Sequence, residues 1–203
     1  MSNNLNRTIQ NLAEAYLIKS HSAGIYTYYA DVARKAGYEI LNQMLLHFKQ
    51  NETEHALIFY QYLSKLISAD VDIEADLQSA IEVKVELGNT ANNLQTLLEL
   101  KQNNAKKFQQ FSIDASGDDY SDIASTFVNI STVELAQHRV LNNILVEVEN
   151  NTLYQSETSR QWLCMKCGYI HTSLQAPEIC PLCKQARTNF APYIEMFKEK
   201  EDV

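Results

Sequence analysis

Four cysteines are confined to a short stretch near the C-terminus, as Cys164-x-x-Cys167 and Cys180-x-x-Cys183 with twelve residues between the pairs. Two such knuckles can close a tetrahedral thiolate site for iron or zinc. A dithiol redox motif needs only one pair, so the pattern points to a metal. Iron would make the site a one-electron carrier; zinc would make it structural. Trp162, Tyr169, Phe190 and Tyr193 are read as the small core around it. A unit of about 40 residues needs such a staple, because its own apolar core is small.

A second constellation lies in NETEHALIF, residues 51–59, where Glu52 and His55 stand three apart and share one face of a helix. They can be half of a metal site or simply two neighbouring polar side chains. A bundle that binds two metal ions supplies a Glu from each of two helices and a Glu-x-x-His pair from each of the other two. Glu52 and His55 complete one such pair. Glu134 begins another, but Gln137 stands three residues on and the imidazole arrives only at His138. Where lone carboxylates belong, the chain has Lys19 and Lys101. A protonated lysine is not a metal ligand, and its charge repels a cation.

The elements that position these residues follow from composition and periodicity. Only 5 Gly and 3 Pro in 203 residues, with 45% hydrophobic residues, favour a mainly helical chain. Four stripes recur at steps of three and four. They run Leu5–Ala33 through Lys19, Leu41–Leu66 through Glu52 and His55, Leu87–Ala115 through Lys101 and Asn104, and Ile123–Val148 through Glu134 and Gln137. Gly37 and Gly117 are the expected helix stops. A shift of 82 positions pairs Asn11, Leu12, Lys19, Ala23, Ala33, Tyr38, Glu52 and Leu63 with identical residues, and Tyr26 and Tyr29 with Phe108 and Phe111. The chain therefore reads as a duplicated helical hairpin, with residues 67–86 as a long crossover between helices two and three. Packing by these stripes places two ammonium groups and two carboxylates in one layer. Because unpaired charge in a core is heavily penalised, the favoured reading has Lys19 and Lys101 neutralising the carboxylates where metal ions otherwise would.

All three Pro fall after residue 160, which marks a second module: residues 1–153 are read as the bundle and 154–203 as the metal module. The net charge of −8 and the lack of a Lys/Arg cluster argue against nucleic acid and anionic membranes as partners. No signal peptide or spanning segment is evident, so a cytoplasmic protein is expected.

The segments YTYYADVARKAGYE (26–39), NETEHA (51–56), GNTANNL (88–94), WLCMKCGYIH (162–171) and APEICPLC (176–183) resemble the rubrerythrins. That resemblance implies a ferritin-like four-helix domain joined to a C-terminal rubredoxin-like domain, with iron held by Cys164, Cys167, Cys180 and Cys183. It also implies a di-iron site that reduces hydrogen peroxide, with electrons passing through the rubredoxin-like iron, often in a homodimer. Carried over by position, Glu52 and Glu134 match the bridging carboxylates and His55 a histidine ligand. Lys19, Lys101 and Asn104 fall on carboxylate positions, and Gln137 on the second histidine, with His138 the nearest substitute. The expectation is an electron-transfer protein with an intact tetrathiolate site, a redox partner and a metal-free or metal-poor bundle. The alternatives are a peroxide reductase using Glu52, His55, Glu134 and His138, and a zinc-stapled helical adaptor.

Overall fold

The computed structural model describes residues 6–67 and 88–193. Four long helices, α1 (Arg7–Lys35), α2 (Glu39–Leu66), α3 (Thr90–Gly117) and α4 (Ser121–Glu149), form a bundle. α1 packs along α2 and α3 along α4, and the two hairpins meet through α1 and α3. The expected crossover falls almost wholly outside the described residues. Asn6 caps α1 by accepting from the Thr8 amide at 2.8 Å, and Asn89 caps α3 by accepting from the Asn92 amide at 2.9 Å.

The two hairpin turns repeat one another. Gly37 takes a left-handed conformation (φ 85) after α1, and the Tyr38 amide returns to the Ala33 carbonyl at 2.9 Å. In the second half the left-handed residue is Asp119 (φ 65), and the Tyr120 amide returns to the Ala115 carbonyl at 2.9 Å. The expected stop at Gly117 is thus two residues early. Gly117 is the last helical residue, and the aspartate that the 82-residue shift aligns with Gly37 makes the turn. Aspartate is among the few residues with a Cβ that tolerate this conformation.

Two apolar clusters fill the bundle. One, centred on Tyr26, Tyr29, Leu41, Leu45, Leu94 and Leu141, lies towards the hairpin turn of α1 and α2. The other, centred on Leu12, Phe59, Phe108, Phe111 and Phe127, occupies the opposite end. The polar residues of the stripes lie between them in sequence on every helix.

After α4 the chain forms an antiparallel sheet of β1 (Gln155–Cys164), β2 (Ile170–Gln175) and β3 (Phe190–Pro192), in the order β2-β1-β3. Trp162 is opposite His171 on one side and Pro192 on the other. Trp162 and Phe190 are fully buried beside Cys164, Cys180 and Ala176, with Tyr154 and Tyr169 at the margin. Tyr193, expected in this core, is half-buried outside that cluster.

Phe127 has no exposed surface, and its ring lies 5.2 Å from that of Phe59 and 5.5 Å from that of Phe111. Phe127→Ala is expected to cost about 3–5 kcal/mol in urea unfolding, since the long helices cannot collapse into the void. A loss near zero would mean that this end of the bundle is not a packed core.

Candidate metal centres

The carboxylates and lysines singled out by their spacing meet in the bundle interior. Lys19 on α1, Glu52 on α2 and Glu134 on α4 are 0% exposed, and Lys101 on α3 is 2% exposed. Lys19 Nζ donates to Glu52 Oε2 at 2.9 Å and also to Glu134 Oε1. Lys101 Nζ donates to Glu52 Oε1 at 2.5 Å and to Glu134 Oε1 at 3.2 Å. Each ammonium therefore touches both carboxylates, and one charged group comes from every helix. Asn104 donates to the second oxygen of Glu134 at 3.5 Å, so all four carboxylate oxygens have a nitrogen donor.

The aromatic surroundings are reciprocal. Lys19 Nζ lies 5.2 Å from the centroid of Phe108, in the other half of the repeat, and Lys101 Nζ lies 5.3 Å from that of Tyr26. Each cation thus faces the negative ring face of its neighbour's half. The sequence contained the signal, because Tyr26 and Phe108 are themselves paired by the 82-residue shift and each follows its own lysine by seven positions.

The electrostatics follow from burial and these contacts. Burial alone would raise the Glu52 carboxyl, but the Lys101 and Lys19 ammonium groups outweigh it and hold it at about 2. Burial pushes His55 down to about 4, with the lysines adding to the shift and Glu52 opposing it, so the imidazole is neutral at pH 7. Burial raises the Tyr26 hydroxyl well above its ordinary range, helped by Glu52 and Glu134.

Ligand atoms of Glu52, His55 and Glu134 lie within 4.8 Å of one another. His138 is not in this group: one residue beyond Gln137, it is rotated by about 100° around α4 and is only half-buried. Gln137 occupies the inward position and donates to Asn51 Oδ1 at 3.0 Å, linking α4 to α2. Asn51 was missed by spacing arguments, and its place directly before Glu52 is the only hint. His55 Nδ1, Gln137 Oε1 and the Tyr26 hydroxyl are buried without a hydrogen-bond partner.

The cysteines converge as the knuckles require. All four Sγ atoms lie within 4.8 Å of one another, with Cys164 and Cys183 3.7 Å apart and Cys167 and Cys180 3.7 Å apart. A tetrahedron with metal–sulfur bonds of about 2.3 Å has edges of about 3.8 Å, so this donor set fits a four-thiolate metal. The bundle differs: among the described residues its three candidate ligands are few for two metal ions, and three of the four carboxylate oxygens are taken by ammonium groups.

Lys101→Met removes one ammonium and leaves buried carboxylate charge; unfolding stability should drop by about 3–5 kcal/mol, and retention of full stability would mean that the pairing is immaterial. Acid should weaken the bundle in two ranges. Both Glu52 and His55 bind a proton less readily folded than unfolded, so stability falls as pH falls. The His55 contribution is complete above its ordinary 6.5 and lost towards about 4, and that of Glu52 is complete above its ordinary 4.5 and lost towards about 2. Unfolding free energies measured across this range for His55→Gln should lack the first decline and keep the second.

Comparison with known proteins agrees with this anatomy. The family model for rubrerythrin matches residues 10–145, and that for the rubrerythrin rubredoxin-like domain matches residues 162–191. A Methanocaldococcus jannaschii protein described as a rubrerythrin is 31% identical over 196 residues, covering 96% of each chain. Rubrerythrin-1 of Clostridium acetobutylicum is 29% identical over 187 residues, covering 91% of this chain and 93% of that one. In fold the chain is similar to nigerythrin in a mixed-valence state (TM-score 0.61, 18% identity, 95% of this chain and 90% of that one). It is also similar to Desulfovibrio desulfuricans bacterioferritin (TM-score 0.62, 18% identity, 71% and 81%). With a ferritin-like bundle and a rubredoxin-like four-cysteine site in one chain, the protein belongs to the rubrerythrin family.

Proposed function

We propose that this chain is a one-electron carrier whose bundle has given up di-iron chemistry. Residues 1–153 serve as the bundle, and residues 154–203 as the module in which Cys164, Cys167, Cys180 and Cys183 hold iron. The observation that carries the reading is the double pairing of each ammonium with both carboxylates. Two metal ions would need those oxygens and would meet two positive charges at the same place.

In the module, the residues hold the thiolates in position and keep water from two of them. Cys164 and Cys180 are buried against Trp162 and Phe190. The Cys167 and Lys184 amides close the knuckles onto the Cys164 and Cys180 carbonyls at 3.3 and 3.0 Å. Iron bound there supplies reversible one-electron transfer. In the bundle, the lysines hold Glu52 ionised, burial with the lysines' help keeps His55 neutral, and the Phe108 and Tyr26 rings lie over the ammonium groups.

A peroxide reductase with a reduced ligand set has one observation in its favour: His55 Nδ1 is buried without a partner beside Glu52 and Glu134. As a cytoplasmic homodimer, the chain would exchange electrons with a protein partner, as membership of its family implies. Among the described residues no helix is long and apolar enough to cross a membrane.

Anaerobic iron reconstitution followed by metal analysis separates the readings. The wild type should take up a single iron per chain with the visible absorption of ferric thiolate, and should not turn over peroxide. Lys19→Glu/Lys101→Glu should take up additional iron, with helix content followed by circular dichroism. Three irons per wild-type chain, or peroxide turnover abolished by Glu52→Ala, would establish the reductase instead. A site that accepts only zinc, and stays colourless after reconstitution, would establish the adaptor.

A further inference from the structure

The two halves of the repeat differ where their first helices begin. At the start of α1, Asp118 Oδ2 accepts from the Thr8 amide at 3.1 Å and from the Thr8 hydroxyl at 2.7 Å. Asp114, one turn earlier on α3, accepts from Asn11 Nδ2 at 2.9 Å. Carboxylates from the other hairpin thus meet both a free amide of the helix N-terminus and the side chains beside it.

The 82-residue shift carries Thr8 to Thr90 and Asn11 to Asn93 at the start of α3, but it carries Asp118 to Ala36 and Asp114 to Val32. The donors are repeated and the acceptors are not. Thr90 is 7% exposed and Asn93 2%, and Thr90 Oγ1 and Asn93 Nδ2 are buried with no hydrogen-bond partner among the described residues. Asn93 Oδ1 accepts from the Gly88 amide at 3.0 Å, which fixes the orientation of the side-chain amide and leaves Nδ2 as its unsatisfied end. Thr90 and Asn93, three residues apart, share a face of α3. Buried donors left unpaired are costly, so two on one face call for an acceptor. The first turn of α3 has no acidic side chain to supply it.

The other half defines the place such an acceptor would take. Ala36 caps α1 at φ −78 and ψ −2, and Asp118 caps α3 at φ −91 and ψ 9, so the two positions share one backbone conformation. Ala33 at the end of α1 and Leu94 at the start of α3 lie in one apolar cluster, with Tyr38 and Ala91 packed against it. By the repeat, a side chain at position 36 is directed to Thr90 as that of Asp118 is to Thr8, and Ala36 stops at its Cβ. Ala36 is exposed, so the place opens to solvent. Arg34 and Lys35 precede it, each paired with Asp31 at 2.6 Å, and border the opening with positive charge.

We propose that the start of α3 binds a small carboxylate anion. One carboxylate oxygen accepts from the Thr90 hydroxyl and the free amides of the first turn, as Asp118 Oδ2 does at Thr8, and the other accepts from Asn93 Nδ2. The ligand fills the volume that an aspartate side chain would occupy at position 36. A planar carboxylate is favoured over a tetrahedral phosphate because a carboxylate is what the first half holds at the equivalent place.

Thermal unfolding of metal-loaded full-length protein, followed by circular dichroism, tests this with sodium acetate exchanged for sodium chloride at constant ionic strength. The wild-type midpoint should rise with acetate and follow the curve of a single binding site, which a general salt effect would not. Thr90→Val keeps the side-chain shape without the hydroxyl and should weaken the apparent acetate affinity at least ten-fold. Ala36→Asp should raise the midpoint in chloride, even though the macrodipole disfavours an acidic residue at a helix C-terminus, and should abolish the response to acetate. Because Ala36 is exposed, this second variant decides the matter if Thr90→Val does not fold. Saturation-transfer NMR on the acetate methyl group should give the same order of binding without unfolding. Equal midpoints in the two salts, as a water molecule on these donors would give, or an acetate response that either variant leaves unchanged, overturns the site. A response to phosphate and none to acetate overturns the assignment to a carboxylate.

Discussion

Four buried charges, one from each helix, set the terms for the rest of the bundle. Lys19, Glu52, Lys101 and Glu134 balance one another only when all four helices stand at the right height and rotation, since each ammonium reaches carboxylates on two different helices. A slip of one residue on any helix would turn its charge by about 100° and leave the others uncompensated in an apolar interior. Buried ion pairs often add little net stability compared with apolar packing. Their effect here is a constraint of register: the apolar clusters on either side of the layer can pack in the observed way only if the charges also meet.

The aromatic rings strengthen that constraint. Phe108 and Tyr26 lie over the lysines of the opposite hairpin, so the two halves of the repeat are tied to one another as well as internally. The duplication is close to symmetric at this layer, and it departs from symmetry at Asn104, which supplies a hydrogen bond to Glu134 where its repeat partner is Ser22. The cysteine module solves a related problem in the opposite way. Its core of Trp162, Phe190 and a few small residues is too slight to hold two knuckles together, and its four sulfurs are spaced for a metal. One chain thus carries a bundle in which side-chain cations balance the charge and a module in which a metal ion would.

Much of this was legible because helical periodicity and cysteine spacing are short-range codes. The stripes placed Lys19, Glu52, Lys101 and Glu134 on inward faces, and all four are buried. Three details were not legible. The second hairpin turns at Asp119 and not at Gly117, because composition alone favours glycine for a left-handed residue while the repeat fixes the turn position. His138 looked like a substitute for the absent histidine, yet a single residue of offset carries it away from the centre. Asn51 acts through a contact that depends on tertiary position and leaves no periodic trace in the chain.

If ammonium groups do in this bundle what metal ions do in a di-iron site, ferrous iron has no site there, and linkage tests this. Helix unfolding of protein whose cysteine site is already filled should be followed by circular dichroism under anaerobic conditions as ferrous iron is added. Any ion that binds the folded bundle and not the unfolded chain must raise its midpoint. The unfolding temperature should be independent of ferrous iron concentration. A midpoint that climbs steadily with added iron would show that the bundle still binds metal, and would contradict that role for the ammonium groups.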